Sequence, residues 1–415
     1  MKDWPLVKIV EIGKDFGDAP FGTKLKTKDY VESGVPVIQG RNIKDNRFVW
    51  NKFLYVTEEK FQSLKKSHCH VGDLVFPKVG TIGITAIMPK VEGRETFLLS
   101  TNMMKMSVDS TRADIQYVFY FFCQPSIRAA IRANAGGSSQ PIFNFTTLKN
   151  FNIPLPPIAT QRRIATILSA YDDLIENNLR RIEILEEMAR ALYREWFVEF
   201  RFPGHEKVPR VSSANGAIPR GWEVKPVSDI TAFLSRGISP DYDDHGDSVV
   251  LNQKCIRDQR ISLEASRRQN KTIPNDKQVQ FGDVLINSTG VGTLGRVAQV
   301  YVHLEKCTVD THVTIARPKP DLDVDFFGCS LLAQQNTFER LGVGATGQTE
   351  LGRAAIGGIE VAMPPAPLRD QFGMFVRPAR SAVANLLNQT ENLRRTRDLL
   401  LPRLLSPQGS PVQCP

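Results

Sequence analysis

The chain repeats itself at long range, and this repeat limits its fold more than any other feature. Pro36–Phe48, PVIQGRNIKDNRF, matches Val249–Ile261, VVLNQKCIRDQRI, at a constant shift of 213 residues. Gly72–Gly83, GDLVFPKVGTIG, matches Gly282–Gly295, GDVLINSTGVGTLG, with two extra residues in the second copy. FNIPLPP and IEVAMPP follow in the same order. Because a period near 210 residues is far longer than that of a solenoid, each copy must be a whole domain with the segment that follows it.

Each copy has the pattern of a small mixed α/β domain. Short β-branched and aromatic runs such as VPVIQG, DLVF, DVLIN and HVTIA are separated by Gly, Asp and Pro, which is typical of short strands. The prolines of LPPIA and MPPAP end the last strand of each domain and allow a helix to begin. The predicted parts are domains at 1–157 and 221–365, long helices at 158–200 and 366–406, a linker at 201–220 and a tail at 407–415.

The long-helix segments carry a seam with alternating spacings of four and three, the pattern of a coiled coil. We expect the two helices to pair antiparallel about an approximate two-fold axis, between two globular α/β domains. Asn178 is a polar seam position of the kind that fixes register, and Pro378 is expected to kink or delay the second helix. The seam residues are Ile164, Leu168, Tyr171, Ile175, Asn178, Ile182, Leu185, Leu192 and Trp196, then Val383, Leu386, Leu393, Leu400 and Leu404.

Charge is distributed unevenly along the chain. The 415 residues carry a formal net charge of +9, with +7 in residues 1–157 and −3 in 221–365. The second copy therefore needs a local basic patch to bind an acidic partner such as nucleic acid. No apolar run is long enough for a bilayer and MKDWPLVKIV is not a signal peptide, so a cytoplasmic protein is expected. The six cysteines form no CxxC pair and indicate reduced thiols.

Pro154–Gly204, PLPPIATQRRIATILSAYDDLIENNLRRIEILEEMARALYREWFVEFRFPG, and IPRGWEV at Ile218 resemble the specificity subunit of type I restriction-modification systems. The resemblance covers nearly the whole chain. It implies two target-recognition domains, each reading one half of a bipartite, asymmetric site in double-stranded DNA. It also implies that the helices set the gap between the halves and dock two methyltransferase subunits. One departure is that PPAPLRDQFGMFVRPAR, in the second helical segment, has no counterpart as good as QRRIA.

The same resemblance implies that this chain is not an enzyme. S-adenosylmethionine, ATP and magnesium would be bound by the partner subunits, which are the methyltransferases and the restriction/translocase subunits, and this chain would bind no cofactor or metal. Target methylation and cleavage would then be directed by the chain and performed by its partners.

Two alternatives are a single-chain DNA methyltransferase or nuclease and a coiled-coil adaptor that binds no DNA. The methyltransferase alternative lacks an Asn/Asp-Pro-Pro-aromatic loop, and GTIG and GVGTLG are tight turns rather than cofactor loops. His68-Cys69-His70 lacks the distant partners of a metal site. The adaptor alternative gives no function to the two duplicated α/β domains. On the first helix, a charged set is either a solvated face or a partner contact: Glu183, Glu186, Glu187, Arg190 and Arg194.

Candidate DNA contacts follow from base and phosphate chemistry. Arg pairs with guanine, Asn and Gln pair with adenine, and clustered cations bind phosphates. The repeated turns, the polar loops GSSQ and ATGQ, and the basic stretch 257–271 supply such side chains. The predicted contacts are Gln39, Arg41, Asn42, Lys44, Lys78, Ser139, Gln140, Lys254, Arg257, Arg260, Arg267, Arg268, Lys271 and Gln348.

Overall fold

The chain folds into two compact units in a computed structural model that describes residues 4–20, 24–50, 52–91, 93–136, 142–213, 216–344 and 349–406. Unit 1 consists of Met1–Glu176 with Thr390–Pro415, and unit 2 consists of Asn177–Gln389. Both long helices are divided between the units, so each unit is a recognition-domain-sized α/β body with a piece of each helix.

Unit 1 contains thirteen short strands and six α-helices among its described residues. Its strands are β1 Leu6–Lys8, β2 Gly13–Asp18, β3 Tyr30–Val31, β4 Val35–Ile38, β5 Ile43–Lys44, β6 Arg47–Phe48, β7 Leu54–Val56, β8 His68–His70, β9 Leu74–Pro77, β10 Ala86–Ile87, β11 Thr96–Leu99, β12 Met103–Val108 and β13 Asn152–Pro154. Its helices are α1 Ile9–Ile12, α2 Glu58–Ser63, α3 Ile115–Cys123, α4 Pro125–Ala133, α5 Phe145–Asn150 and the first part of α6, Ile158–Tyr193.

Two sheets organise unit 1. One has the order β10-β9-β12-β2, and the other has the order β3-β7-β4-β11-β8. The main core lies where the first sheet packs on α3 and α4, with Phe76, Tyr117 and Phe121 fully buried. Leu401 and Leu405, from the far end of the chain, belong to the same core. The first domain therefore needs the end of the last helix to complete its interior, which the boundary predicted at 157 did not include.

Unit 2 repeats this order of elements. Its strands are β14 Arg210–Ser213, β15 Gly216–Pro219, β16 Glu223–Pro226, β17 Thr231–Arg236, β18 Ser248–Leu251, β19 Ile256–Arg257, β20 Arg260–Ile261, β21 Arg267–Gln269, β22 Val284–Asn287, β23 Val297–Gln299, β24 Cys307–Val309, β25 Val313–Pro318 and β26 Glu360–Met363. Its helices are α7 Val227–Ile230, α8 Val324–Leu332, α9 Gln335–Arg340, α10 Arg353–Gly357 and the first part of α11, Ala366–Leu405. A π-helical turn, Arg194–Val198, follows α6.

The sheet topology of unit 2 follows from the sequence repeat. The order β23-β22-β25-β17 is the equivalent of β10-β9-β12-β2, strand for strand. β16 pairs with β26 as β1 pairs with β13, and β18 pairs in parallel with β24 as β4 pairs with β11. The prediction of two duplicated α/β domains with long helices is confirmed.

The segment 201–220 is packed structure rather than a free linker. β14 and β15 form a hairpin, and Phe202 and Ile218 are buried in the core of unit 2. Phe202 packs on Trp222, with 5.5 Å between ring centroids, and burial of these apolar side chains removes them from water. The linker prediction is therefore wrong for this stretch, and the second domain begins close to the end of α6.

The seam residues of α6 lie on its buried side. Ile164, Leu168, Ile175, Ile182 and Trp196 are buried, as is the polar residue Asn178. The other three are half-buried: Tyr171, Leu185 and Leu192.

In unit 1 the order of contacts along the helices shows that their segments run antiparallel. Ile164 shares a core with Leu405, while Asp172, farther along α6, bonds to Arg397, earlier along α11. In unit 2 the end of α6 meets the beginning of α11, where Tyr193 lies 6.1 Å from Phe372 between ring centroids.

The second seam is shifted at its end. Leu386 is buried, and Val383, Leu393, Leu400 and Leu404 are half-buried. The deepest burial instead falls one residue later, on Leu401 and Leu405. Arg397, which interrupts the seam, donates to Asp172 at 2.6 Å. The same carboxylate accepts a bond from Tyr120 at 2.7 Å, so this seam position is filled by a polar group that has partners.

Pro378 neither delays nor interrupts α11, which begins at Ala366. A proline removes the bond to the carbonyl four residues earlier, here that of Met374. Both Pro378 and Met374 are exposed, so water can take the place of the missing donor. The expected delay is therefore wrong, because the proline lies on the solvent side of the helix.

Candidate nucleic-acid interface

The repeated turn and the repeated Gly-rich connection meet in each unit. In unit 1, Gly40 lies so close that a Cβ atom built on it would be 3.8 Å from the Cβ of Pro77. In unit 2, the Thr293 hydroxyl donates to Gln253 Oε1 at 3.2 Å, and the Asn287 amide donates to Gln253 O at 2.9 Å. Two motifs that are separated by about 35 residues in sequence are therefore neighbours in space.

Two further parts of unit 1, at Asn102 and Phe143, contact the Gly-rich connection. The Lys78 backbone donates to Asn102 O at 2.8 Å, and Phe143 N donates to Lys78 O at 2.9 Å. Gly136 and Ile142 form an antiparallel bridge. We call the described residues of 39–44, 77–83, 100–102 and 136–142 the loop face of unit 1.

Unit 2 has the same arrangement. Ser288 N donates to His312 O at 2.8 Å, and Leu351 N donates to Ser288 O at 2.8 Å. Val343 and Glu350 form the equivalent antiparallel bridge. The loop face of unit 2 is thus the described residues of 252–257, 287–295, 310–312 and 343–351. The segments that the sequence repeats are those that the fold brings together.

Glycines hold the sharp bends of these connections. Gly83 and Gly295 have φ of 89° and 79°, in the left-handed region that side chains with a Cβ disfavour. A Cβ on Gly295 would also lie 2.5 Å from Glu339 N. The prediction that GTIG and GVGTLG form tight turns agrees with this geometry, because each ends at a residue that only glycine fits.

The predicted contacts of unit 1 separate into exposed and structural residues. Arg41 and Lys44 are exposed beside the repeated turn. Asn42 is fully buried, and its Oδ1 accepts from Gln39 N at 3.0 Å. The prediction that Asn42 contacts a base is therefore wrong, since its amide closes the turn. Gln39 keeps its Oε1 buried with no hydrogen-bond partner among the described residues.

Lys78 lies on the loop face but is held by an acidic neighbour. Its Nζ donates to Asp18 Oδ1 at 2.7 Å, at the end of β2. Ser139, Gln140 and Gln348 lie outside the described residues, so the structure gives them no place.

Most of the basic stretch predicted in unit 2 is occupied by bonds within the domain. Arg260 makes a bidentate pair with Glu186 of α6, at 2.7 and 2.6 Å. Arg268 donates to Gly246 O at 2.9 Å and Lys271 to Ser239 O at 3.0 Å, while Arg267 lies 3.7 Å over the ring of Tyr242. Arg260 is therefore corrected from a phosphate contact to a residue that binds the domain to the long helix. Lys254 and Arg257 stay exposed on the loop face.

The residue of unit 1 that is equivalent to Arg260 was not identified from the sequence as a contact to the long helix. Arg47, at the 213-residue shift, donates to Asp172 O at 2.9 Å and lies 3.7 Å from Glu176. Each arginine follows a two-residue turn with positive φ at both positions, Asp45-Asn46 and Asp258-Gln259. The repeat itself carried the signal, because the shift that aligns the two turns also aligns the two arginines.

The sequence His68-Cys69-His70 was not predicted to bind a metal, and both histidines have contacts within unit 1. His68 stacks on Phe61 at 3.7 Å and bonds to Phe61 O, while His70 lies 3.6 Å from Asp73. Within the described ranges, no group of three or more His, Cys, Asp or Glu is placed to hold a metal ion. Among the described helices, none has the length and apolarity to cross a bilayer.

The fold defines a duplicated α/β protein in which each copy presents its own loop face. Residues 1–187 match the family model described as type I restriction modification DNA specificity domain. The type I restriction enzyme MjaIX specificity subunit of Methanocaldococcus jannaschii is 26% identical over 412 residues, which covers 97% of this chain and 93% of that protein. The putative MjaX specificity subunit of the same organism is 30% identical over 242 residues, covering 56% of this chain and 55% of that protein.

A solved structure supports the fold. The S subunit of a type I restriction-modification system from M. genitalium aligns with a TM-score of 0.61 at 16% identity, and the alignment covers 98% of this chain and 97% of that one. Over nearly its whole length the chain is similar to specificity subunits of type I restriction-modification systems.

Proposed function

We propose that this chain recognises a bipartite site in double-stranded DNA, with each loop face bound to one half. The observation that carries the proposal is the convergence of the same four connections in both units, with exposed cations beside them. Cations at such a face bind phosphates and fix the register, and the polar loop side chains reach the base edges. Because the loop faces differ in sequence, the two half-sites differ.

The chain acts without catalysing a reaction itself. Methylation of adenine and cleavage belong to two methyltransferase subunits and to restriction/translocase subunits that assemble with it. S-adenosylmethionine, ATP and magnesium are bound by those partners. This division of roles is supported by the names of the relatives, which are specificity subunits, and by the lack of a methyltransferase loop in the sequence.

The long helices supply the proposed docking surface for the methyltransferases. In unit 2, Ile184 and Met188 of α6 are exposed one turn apart, and Met374 and Phe375 of α11 are exposed as well. Exposed apolar residues of this size on one element are typical of protein contacts. The charged set on α6 is less available than its sequence indicates, since Glu186 is bonded to Arg260 and Arg190 lies 3.0 Å from Glu187.

The salt dependence of DNA binding tests the proposed interface in unit 1. The double variant Arg41→Ala with Lys44→Ala removes two exposed cations, and each phosphate contact contributes about −0.9 to the slope of log K against log salt. We expect the slope measured on duplex DNA to become shallower by about 2. The measurement is a titration of labelled duplex at several salt concentrations.

The matched control removes two cations from the opposite end of the same sheet. Lys14→Ala with Arg112→Ala changes one exposed residue at the beginning of β2 and one after β12, near the point where Val108 pairs with Gly13. This control should keep the slope of the original chain. Equal slopes for all three proteins would contradict the proposed interface, and a chain that binds no duplex DNA would favour the adaptor alternative.

A further inference from the structure

We propose that four side chains of unit 2, His312, Thr289, Glu350 and Arg236, form the base-reading row of that domain and that Glu350 with Arg236 reads a G·C pair. This inference rests on the proposed function, since it names the residues that carry specificity for one half-site. None of the four was predicted from the sequence.

The four residues are joined across neighbouring connections of the loop face. Thr289 Oγ1 lies 2.7 Å from His312 Nδ1, and Arg236 donates to Glu350 Oε1 at 2.6 Å. Thr289 and Glu350 are partners in an antiparallel bridge, which places the two pairs side by side. The row therefore runs from the β24–β25 connection to the end of β17.

The row stands on a rigid base. Ser288, next to Thr289, is fully buried, and its hydroxyl lies 2.6 Å from that of Thr314. Asn287 is also fully buried and donates to Thr293 O at 3.0 Å. Side chains held in place by such bonds lose little conformational entropy on binding, which favours selective contacts.

The row is open to a ligand. His312 and Glu350 are exposed, and Arg236 and Glu350 line a cleft together with the exposed Arg353. Three glycines, Gly352, Gly357 and Gly358, line the same cleft and add no side chains that would narrow it. Lys254 and Arg257 are exposed on the same loop face, where they can bind phosphates of the same DNA half-site.

Comparison of the two units separates structural residues from reading residues. The row positions correspond in unit 1 to Asn102, Val79, Ile142 and Asp18, which have different chemistry. Repeated residues such as Gly83 and Gly295 build the face, as their positive φ shows. Residues that read two different half-sites must differ between the units, and the row fulfils that condition.

The chemistry of the row selects the base pair. A carboxylate accepts from the N4 amino group of cytosine, and a guanidinium donates to guanine O6 and N7 in the major groove. Glu350 and Arg236 supply both groups 2.6 Å apart. Arg260 is paired with a carboxylate that is only 20% exposed, whereas the Glu350 side chain is 56% exposed, so one G·C pair can reach both groups of the Glu350–Arg236 pair. His312, oriented through Nδ1, presents its other ring nitrogen to an adjacent base.

The test uses the full chain assembled with its cognate methyltransferase subunits, and methylated motifs are mapped by single-molecule sequencing of the host DNA. Glu350→Gln replaces an acceptor by a group that also donates, and His312→Ala removes the ring. A good base contact discriminates between base pairs by about 5–150-fold, so we expect selectivity at one position of one half-site to fall by a factor in that range. The other half-site and the gap should stay unchanged.

Glu305→Gln and His303→Ala are the matched controls. Both residues are exposed in the connection between β23 and β24, at the opposite end of the sheet from the loop face. Thr289→Val provides a milder variant, because it removes only the bond that orients His312. We expect it to relax the same half-site less than His312→Ala does, while thermal melting shows that all variants are folded.

An unchanged motif in folded Glu350→Gln and His312→Ala complexes would overturn the proposed row. So would equal relaxation of both half-sites, because that would reflect a general loss of affinity. A required half-site without any G·C pair would also overturn the assignment of Glu350 and Arg236. If the unaltered complex gives no split motif, the proposed function itself fails, which is a different result from a split motif that the variants leave intact.

Discussion

Arg317→Met is expected to lower the free energy of unfolding of unit 2 by about 3–5 kcal/mol, because it leaves a buried carboxylate without its partner. Arg317 holds Asp283 through two bonds of 2.8 Å, and Asp283 is completely buried. Arg317 also donates to Gln278 O at 2.7 Å. Methionine keeps much of the length of the side chain and offers none of these donors.

The same variant should change the pH dependence of stability. Burial raises the pKa of Asp283 above its ordinary value, and the bonds from Arg317 oppose that rise. Without Arg317 the folded-state pKa should rise further above the unfolded value. The folded state then favours the protonated acid, so the variant should lose stability as pH rises from about 4 through the folded pKa.

The measurement is denaturant unfolding, with hydrogen exchange of unit 2 amides to locate the loss. Lys319→Met is the matched control, since Lys319 is exposed two residues along the chain, and its stability should stay within about 0.5 kcal/mol of the original. Adding Asp283→Asn to Arg317→Met should recover part of the loss, because the buried charge is removed. An Arg317→Met chain as stable as the Lys319→Met chain would contradict the role given to this pair.

Phe197→Ala is expected to destabilise unit 2 by about 3–5 kcal/mol, the cost of removing a large buried aromatic side chain and leaving a cavity. Its ring lies 4.9 Å from those of Phe326 and Phe372 and 5.9 Å from that of Trp222, between centroids. Phe326 belongs to α8 and Phe372 to α11, so one side chain joins the domain to the helix pair within this unit.

The neighbouring residue supplies the control for this prediction. Val198 is 53% exposed, and Val198→Ala should change stability by about 0.5 kcal/mol or less. Unfolding can be followed by the fluorescence of Trp196 and Trp222, which are packed beside Phe197. If Phe197→Ala and Val198→Ala unfold at the same denaturant concentration, the aromatic cluster does not join the helices to the domain as we describe.

The repeat made the fold predictable because both copies carry the same turns and strands. Gly72-Asp73 and Gly282-Asp283 illustrate this, since each aspartate is buried and accepts from a backbone N–H at 2.8 Å. Their cationic partners could not be predicted from the alignment. Asp73 pairs with Lys105, whereas Arg317 aligns with Ser107. The two partners come from positions two residues apart on equivalent strands, which point to the same face.

The helix seams could be predicted where the buried residues follow the alternating spacing of four and three in the sequence. The α6 seam residues lie on the buried side, while at the end of α11 the buried positions are one residue later than predicted, at Leu401 and Leu405. Sequence period could not show this shift, because it depends on the core of unit 1 that these leucines enter. For the same reason 201–220 looked like a linker, although Phe202 and Ile218 complete a core assembled from distant residues.

The sequence repeat located the turns that form the loop faces, but it did not show which of their side chains are open to a ligand. Residue type alone treated Asn42 and Arg260 as DNA contacts, whereas one closes a turn and the other binds Glu186. Residue type also gave no reason to choose His312 or Glu350, because their partners come from other connections of the chain. Which polar side chains are occupied within the fold, and which are open to a ligand, depends on the tertiary structure.

The central claim is that two different loop faces on one chain read the two halves of one DNA site. Its most direct test is to assemble the chain with its cognate methyltransferase subunits and map methylated adenines across the host genome by single-molecule sequencing. We expect one split motif, with two short and different specified halves around a fixed gap of unspecified bases. An assembled complex that methylates a continuous motif, or methylates no motif at all, would contradict it.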